Sequence, residues 1–145
     1  MSVSRLETLA RELAAALQKA APEHQLRVSE FAANWAVART GLAHPSLKSG
    51  SADDIAALVA ELDEQYFALS EERDEGRAST KEVVEAFGRA RAANAVEFMR
   101  RGEPAEAIYE AAAVADDWSE LRIAVLSQLG VPAEPKVAPD CGGTM

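Results

Sequence analysis

The sequence predicts an all-α fold, a single-domain bundle of five to six helices, and three observations predict it. Apolar residues recur at steps of three and four along most of the chain, the spacing that lines one face of a helix at about 100° per residue. Four segments open with S-x-x-D/E or D-x-x-E spacing, at Ser4, Ser51, Ser79 and Asp117, and glycines follow four of the helical stretches, at Gly41, Gly76, Gly102 and Gly130. No segment alternates apolar and polar residues with period two over a useful length.

The first helix is expected to begin near Ser4, where Ser4 and Glu7 have capping-box spacing. Leu6, Leu9, Ala10, Leu13, Leu17 and Ala20 then form a narrow stripe. Such a seam suits the internal core of a bundle, and the alternative is a homodimer through this helix, in the manner of a coiled coil. Pro22 restarts the helix, and residues 23 to 40 run on to a stop at Gly41. The apolar residues of this second helix spread round most of the wheel, with Val28, Phe31, Trp35 and Ala38 on one side and Leu26, Ala33 and Val37 on the other, which predicts a central position. Glu30 and Arg39 lie among these apolar groups and are expected to be partly buried.

The segment from Gly41 to Gly50, GLAHPSLKSG, reads as the longest internal loop. From Ser51 to Glu75 comes the clearest helix. Ile55, Leu58, Val59, Leu62, Tyr66 and Leu69 make its apolar stripe, and Asp54, Glu61, Glu64, Glu71, Glu72 and Glu75 make an acidic one opposite, around which the other helices are expected to gather. After a short turn, Ser79 and Glu82 open a helix reaching about Arg101. Here Val83, Val84, Phe87, Ala95 and Phe98 share a face, and Arg91 and Asn94 land in the middle of it. An arginine in an apolar face needs a carboxylate, because an unpaired buried charge is costly and a guanidinium does not readily lose its proton. Glu30 is the expected partner and Glu97 the second choice.

Gly102 and Pro104 make a corner, and Pro104 to Ala115 forms a helix with Ile108, Tyr109, Ala112 and Ala115 on one face and Glu106 and Glu110 facing away. The last helix starts near Trp118 and ends at Gly130. The domain organisation is therefore a helical domain over 1–130 and an irregular tail over 131–145, which carries three prolines and two glycines.

Composition narrows the function classes. The net charge is −9, and residues 51–75 hold nine acids against Arg73 alone, a local charge of −8 that accounts for nearly all of it. Such a field repels nucleic acid and anionic membrane and favours encounter with a basic protein surface. Cys141 is the only cysteine, so neither an internal disulfide nor a cysteine-based metal cluster is available. Uninterrupted apolar runs, Ala111 to Ala115 among them, are far short of the roughly 18 residues of a membrane span, and the amino-terminal residues lack a signal-peptide core, so a cytoplasmic protein is expected. No catalytic, cofactor-binding or metal site is expected. Neither His24 nor His44 follows a glutamate at the spacing of a di-iron bundle, and no G-x-S-x-G, P-loop or G-x-G-x-x-G fingerprint occurs.

The run from Tyr66-Phe67 through Ala86-Phe87-Gly88-Arg89-Ala90-Arg91-Ala92 to Tyr109-Glu110-Ala111 and Asp116-Asp117 resembles a group of small all-helical bacterial proteins of uncharacterised function. More loosely, size, acidity and helical content are similar to those of toxin-immunity proteins. The resemblance implies a helical fold and no catalytic residue.

Two functions follow from the residues. The first is a non-catalytic binding module, in the manner of an immunity or inhibitor protein, that covers a basic partner surface with Glu61, Glu64, Phe67, Glu71 and Glu75. Phe67 falls off the apolar stripe beside Glu64 and Glu71, so it either anchors a partner or packs against a neighbouring segment. The second is a small-molecule-binding or enzymatic domain with a polar pocket around Glu30, Arg39, Arg91 and Asn94.

Overall fold

The computed structural model describes residues 5–131. Ser4, Cys141 and all but the first residue of the expected tail lie outside the described residues. Among those described, helices account for 79% and no strand occurs, so the fold is all-α. They run α1 (Arg5–Leu9), α2 (Arg11–Lys19), α3 (Pro22–Thr40), α4 (Ser46–Ser49), α5 (Ala52–Asp74), α6 (Thr80–Arg100), α7 (Pro104–Ala112) and α8 (Ser119–Gln128).

Eight segments replace the expected five or six for two local reasons. Ala10 adopts φ −153° and ψ 86°, which divides the first helix into α1 and α2. The second addition is α4, one turn within the 41–50 loop, whose carbonyls are tied down by a distant side chain. Arg100 Nη1 donates to Ser46 O (3.1 Å) and Gly50 O, and its Nη2 donates to Leu47 O. The guanidinium thus satisfies Leu47 O and Gly50 O, acceptors that one isolated turn would leave to water, and adds a second bond to Ser46 O, which also accepts from Gly50 N. Gly50 fits here because a Cβ would stand 2.7 Å from Ser46 O.

Two of the expected capping boxes form in full. Ser51 Oγ accepts from Asp54 N (3.2 Å) while Asp54 Oδ2 accepts from Ser51 N (3.1 Å), and Ser79 with Glu82 repeats the arrangement at 3.1 and 2.9 Å. The expected box at Asp117 and Glu120 does not form. The Asp117 carboxylate turns to the residue two ahead, accepting from Ser119 N (2.9 Å) and Ser119 Oγ (2.6 Å), a local bond that competes with the cap.

The centre of the bundle is α6, not the acidic helix. It packs on α5, α3 and α7, whereas α5 meets α6 and, at its start, α4. The reason is side-chain size. The buried positions of α6 are Val83, Ala86, Gly88, Ala90, Ala92, Ala93, Ala95 and Val96, so three helices approach its backbone closely. Gly88 shows how closely, since a Cβ there would meet Thr40 Cγ2 at 3.3 Å. Val84 and Phe87, expected in the core, are 59% and 37% exposed, because alanines and not the bulkier residues make the interhelical seams. Leu6, Leu13 and Leu17 of the amino-terminal seam are buried within the single chain, against α7 and α8 among other elements. No described helix is long and apolar enough to cross a membrane.

Candidate functional site

The charge that α6 carries into the core is neutralised by a chain of ions crossing four helices. Arg91 Nη1 donates to Glu110 Oε1 at 2.8 Å and Arg91 Nη2 to Asp63 Oδ1 at 3.3 Å. The second oxygen of Glu110 accepts from Arg5 Nη2 at 2.7 Å, and Arg5 also holds Glu106, with Nη2 at 2.6 Å and Nε at 2.9 Å. Both arginines lie near rings: Arg5 is 4.3 Å from the centre of Tyr109 and Arg91 is 5.6 Å from that of Phe87. Burial disfavours the charge on Arg5, but the hydrogen bonds and attraction from Glu106 and Glu110 outweigh it and raise its pKa.

These contacts correct two expectations. Arg91 pairs with Glu110 and Asp63, while Glu30 is exposed and Glu97 pairs with Arg101 at 2.9 Å. Glu110 does not face away, being only 2% exposed. A signal for it existed: on α7 it lies about 60° from Ala107 on the wheel, beside a strip of small side chains too short to keep a neighbouring helix off it.

The pocket residues foreseen together are not brought together. Glu30 and Arg39 stand nine residues apart on α3, about 13.5 Å along its axis, and Arg39 turns to Trp35, 5.3 Å from the ring centre, and to Glu120 at 4.0 Å. Glu30 borders an indentation of about 420 Å³ between α3, the 41–50 loop and α6, with Val37, Leu42, Val96 and Met99. Arg91 belongs to the ion chain, and Asn94 is half-buried on α6.

The acidic face is open. Glu61, Glu64, Glu71 and Glu75 are all exposed; the first three form no ion pair among the described residues, and Glu75 pairs with Arg77. Phe67 is 63% exposed, the most exposed of the large apolar side chains among the described residues. Its ring leans on Tyr66 (centroids 5.3 Å apart, tilted 51°), and Tyr66 leans in turn on Phe87 (5.5 Å, 59°). A row of three rings therefore runs from the acidic stripe of α5 across to α6.

Beyond Phe87 the row opens into a cleft of about 660 Å³. Its floor is Tyr66, Val83, Val84, Phe87 and Val114, and its polar rim is Arg39, Arg73, Asp116 and Asp117. This cleft was missed in the sequence because its walls come from α3, α5, α6 and the 113–117 turn. The available clue was Val84 and Phe87, large side chains on a helix whose buried positions are mostly alanine.

Among the described residues, no group of three or more His, Cys, Asp or Glu is placed to hold a metal ion. Comparison of the chain with protein-family models, with curated proteins and with solved structures finds no match.

Proposed function

We propose that the protein is a non-catalytic binding module of the immunity or inhibitor kind, acting in the cytoplasm, whose acidic α5 face covers a basic surface on a partner protein. The observation that carries this reading is Phe67, exposed at 63% between Glu64 and Glu71, its neighbours at three and four residues on the helix surface. A large ring held in water by its own fold loses little conformational freedom on being covered, and its support by Tyr66 adds to that pre-organisation. The unpaired carboxylates would speed encounter with a basic surface, and the ring would set the residence time. The structure of α5 suits the role, because its apolar stripe is spent on α6 and its acidic side meets no other helix of the bundle in strength.

The test is to capture partners from the native cell on immobilised protein, identify a basic one, and titrate it in purified form against the parent and two variants. Phe67→Ala should leave the thermal midpoint nearly unchanged and weaken binding by about 2 kcal/mol or more. Glu64→Lys with Glu71→Lys should chiefly slow association and flatten its salt dependence. A purified partner that binds all variants equally well would remove the acidic face from the interface.

A further inference from the structure

The cleft beside Phe87 differs from the acidic face in both charge and shape. In a protein of net charge −9 its rim carries two arginines and two aspartates. Both arginines are weakly engaged. Arg39 lies 5.3 Å from the Trp35 ring centre and meets Glu120, itself 77% exposed, at 4.0 Å, and among the described residues Arg73 meets only its chain neighbour Asp74, at 3.7 Å. The two aspartates differ from each other: Asp117 is committed to Ser119 N and Oγ, whereas Asp116 is exposed and forms no ion pair among the described residues. The floor between these charges is apolar and partly open to water, with Val84 at 59% and Phe87 at 37% exposure. The Phe87 ring is held by its contacts with the Tyr66 ring, 5.5 Å between centres, and with the Arg91 guanidinium at 5.6 Å. Gly88 lets the carboxyl end of α3 and the 113–117 turn close on α6, with Thr40 Cγ2 and Val114 O at 3.3 and 3.7 Å from where its Cβ would be.

We propose that this cleft binds a zwitterionic small molecule with a large apolar body, the class of the free amino acids with aromatic or branched side chains. The carboxylate goes to Arg39 and Arg73, the ammonium to Asp116, and the body lies on Val84 and Phe87. Charge decides among ligand classes. A simple anion would meet the two aspartates, and a simple cation would meet the two guanidiniums, whereas a zwitterion answers both signs. Size agrees, because about 660 Å³ lies within the range of small-molecule sites, and such sites combine an apolar lining with a few orienting polar groups. The inference does not depend on the protein partner, since Glu64, Phe67 and Glu71 do not line the cleft.

The experiment is a titration of the full chain, followed by backbone amide NMR and calorimetry, with L-phenylalanine, L-leucine and L-tryptophan. Two analogues accompany them: 3-phenylpropionate, which lacks the ammonium, and phenethylamine, which lacks the carboxylate. At least one amino acid should give saturable shifts confined to the cleft, with millimolar affinity expected for so few atoms. L-phenylalanine should bind about tenfold more tightly than either analogue, since each analogue leaves a charged group unanswered. Arg39→Gln and Asp116→Asn should each cost a similar factor. Val84→Trp should abolish the response without lowering the thermal midpoint, because position 84 is exposed. No saturable shift with any of the three amino acids at about 20 mM, a ceiling generous for ligands of this size, would overturn the proposal. So would 3-phenylpropionate binding as tightly as L-phenylalanine, or shifts that survive Val84→Trp.

Discussion

Arg91 of α6 and Glu110 of α7 meet at 2.8 Å with the carboxylate 2% exposed and the guanidinium side chain 20% exposed, so a charge pair inside the bundle joins neighbouring helices. Desolvating a carboxylate costs several kcal/mol, and here two guanidiniums compensate it, one on each oxygen. Arg91→Ala should therefore cost roughly 3 kcal/mol, somewhat less than full stranding of a buried charge, because Arg5 still reaches Glu110. Glu110→Leu should cost a comparable amount by leaving Arg91 with Asp63 alone. The double variant Arg91→Met, Glu110→Leu should recover much of the loss, and urea denaturation of it, the parent and the single variants Arg91→Met and Glu110→Leu measures the coupling. Single variants that are each nearly neutral would mean that the pair is solvated.

Arg100 gives a second outcome, confined to one loop. Its guanidinium satisfies carbonyls of Ser46, Leu47 and Gly50, and no other described side chain does so. Arg100→Leu should destabilise the protein by roughly 1.5–3 kcal/mol, the range for hydrogen bonds to a charged group. Hydrogen exchange should locate the effect: the amides of Lys48 and Gly50, bonded to Pro45 O and Ser46 O, should lose protection while the middle of α6 keeps it.

Packing around α6 predicts an asymmetry between neighbouring faces. Ala93 is fully buried on α6, the helix on which three others pack, and Ala93→Leu should cost roughly 1–3 kcal/mol through overpacking. Val84→Leu, on the open side, should stay within about 0.5 kcal/mol. Thermal or urea unfolding of the two variants compares them directly.

Asp117 provides a pH signature. Hydrogen bonds from Ser119 Oγ and N hold its pKa below the ordinary 3.8 against a smaller opposing effect of burial, and attraction from Arg39 adds the least. A depressed folded-state pKa stabilises the fold above the unfolded value, and that contribution is lost as pH falls through the folded value. Ser119→Ala should raise the Asp117 midpoint toward 3.8 in a carboxyl-carbon NMR titration. The stability difference between variant and parent should be present at neutral pH and shrink in the acid range below that value.

Much of the fold was legible residue by residue. The α5 stripe of Ile55, Leu58, Val59 and Leu62 is buried as its period requires, and the boxes at Ser51 and Ser79 form because their partners are three residues away. Arg91 was recognisable as a charge needing a carboxylate, since its neighbours on the wheel are apolar. Which carboxylate was not recognisable. Glu30, Glu97, Asp63 and Glu110 are equivalent to a helical wheel, which fixes the angle of a side chain about one axis and says nothing of which helix faces it.

The amino-acid sequence by itself determined that this chain is helical, where most helices begin and stop, and that one helix carries nearly all the net charge, because these are interactions among residues within a turn or two. The tertiary structure alone decided that alanine-lined α6, and not acidic α5, lies at the centre, since closeness of approach depends on the facing helices together. It also decided that Glu110 is buried, that Phe67 stands in water, and that Arg39, Arg73 and Asp116 rim one cleft. Those residues are dozens of positions apart, and only the packing of α3, α5, α6 and the 113–117 turn converts their separate patterns into one surface.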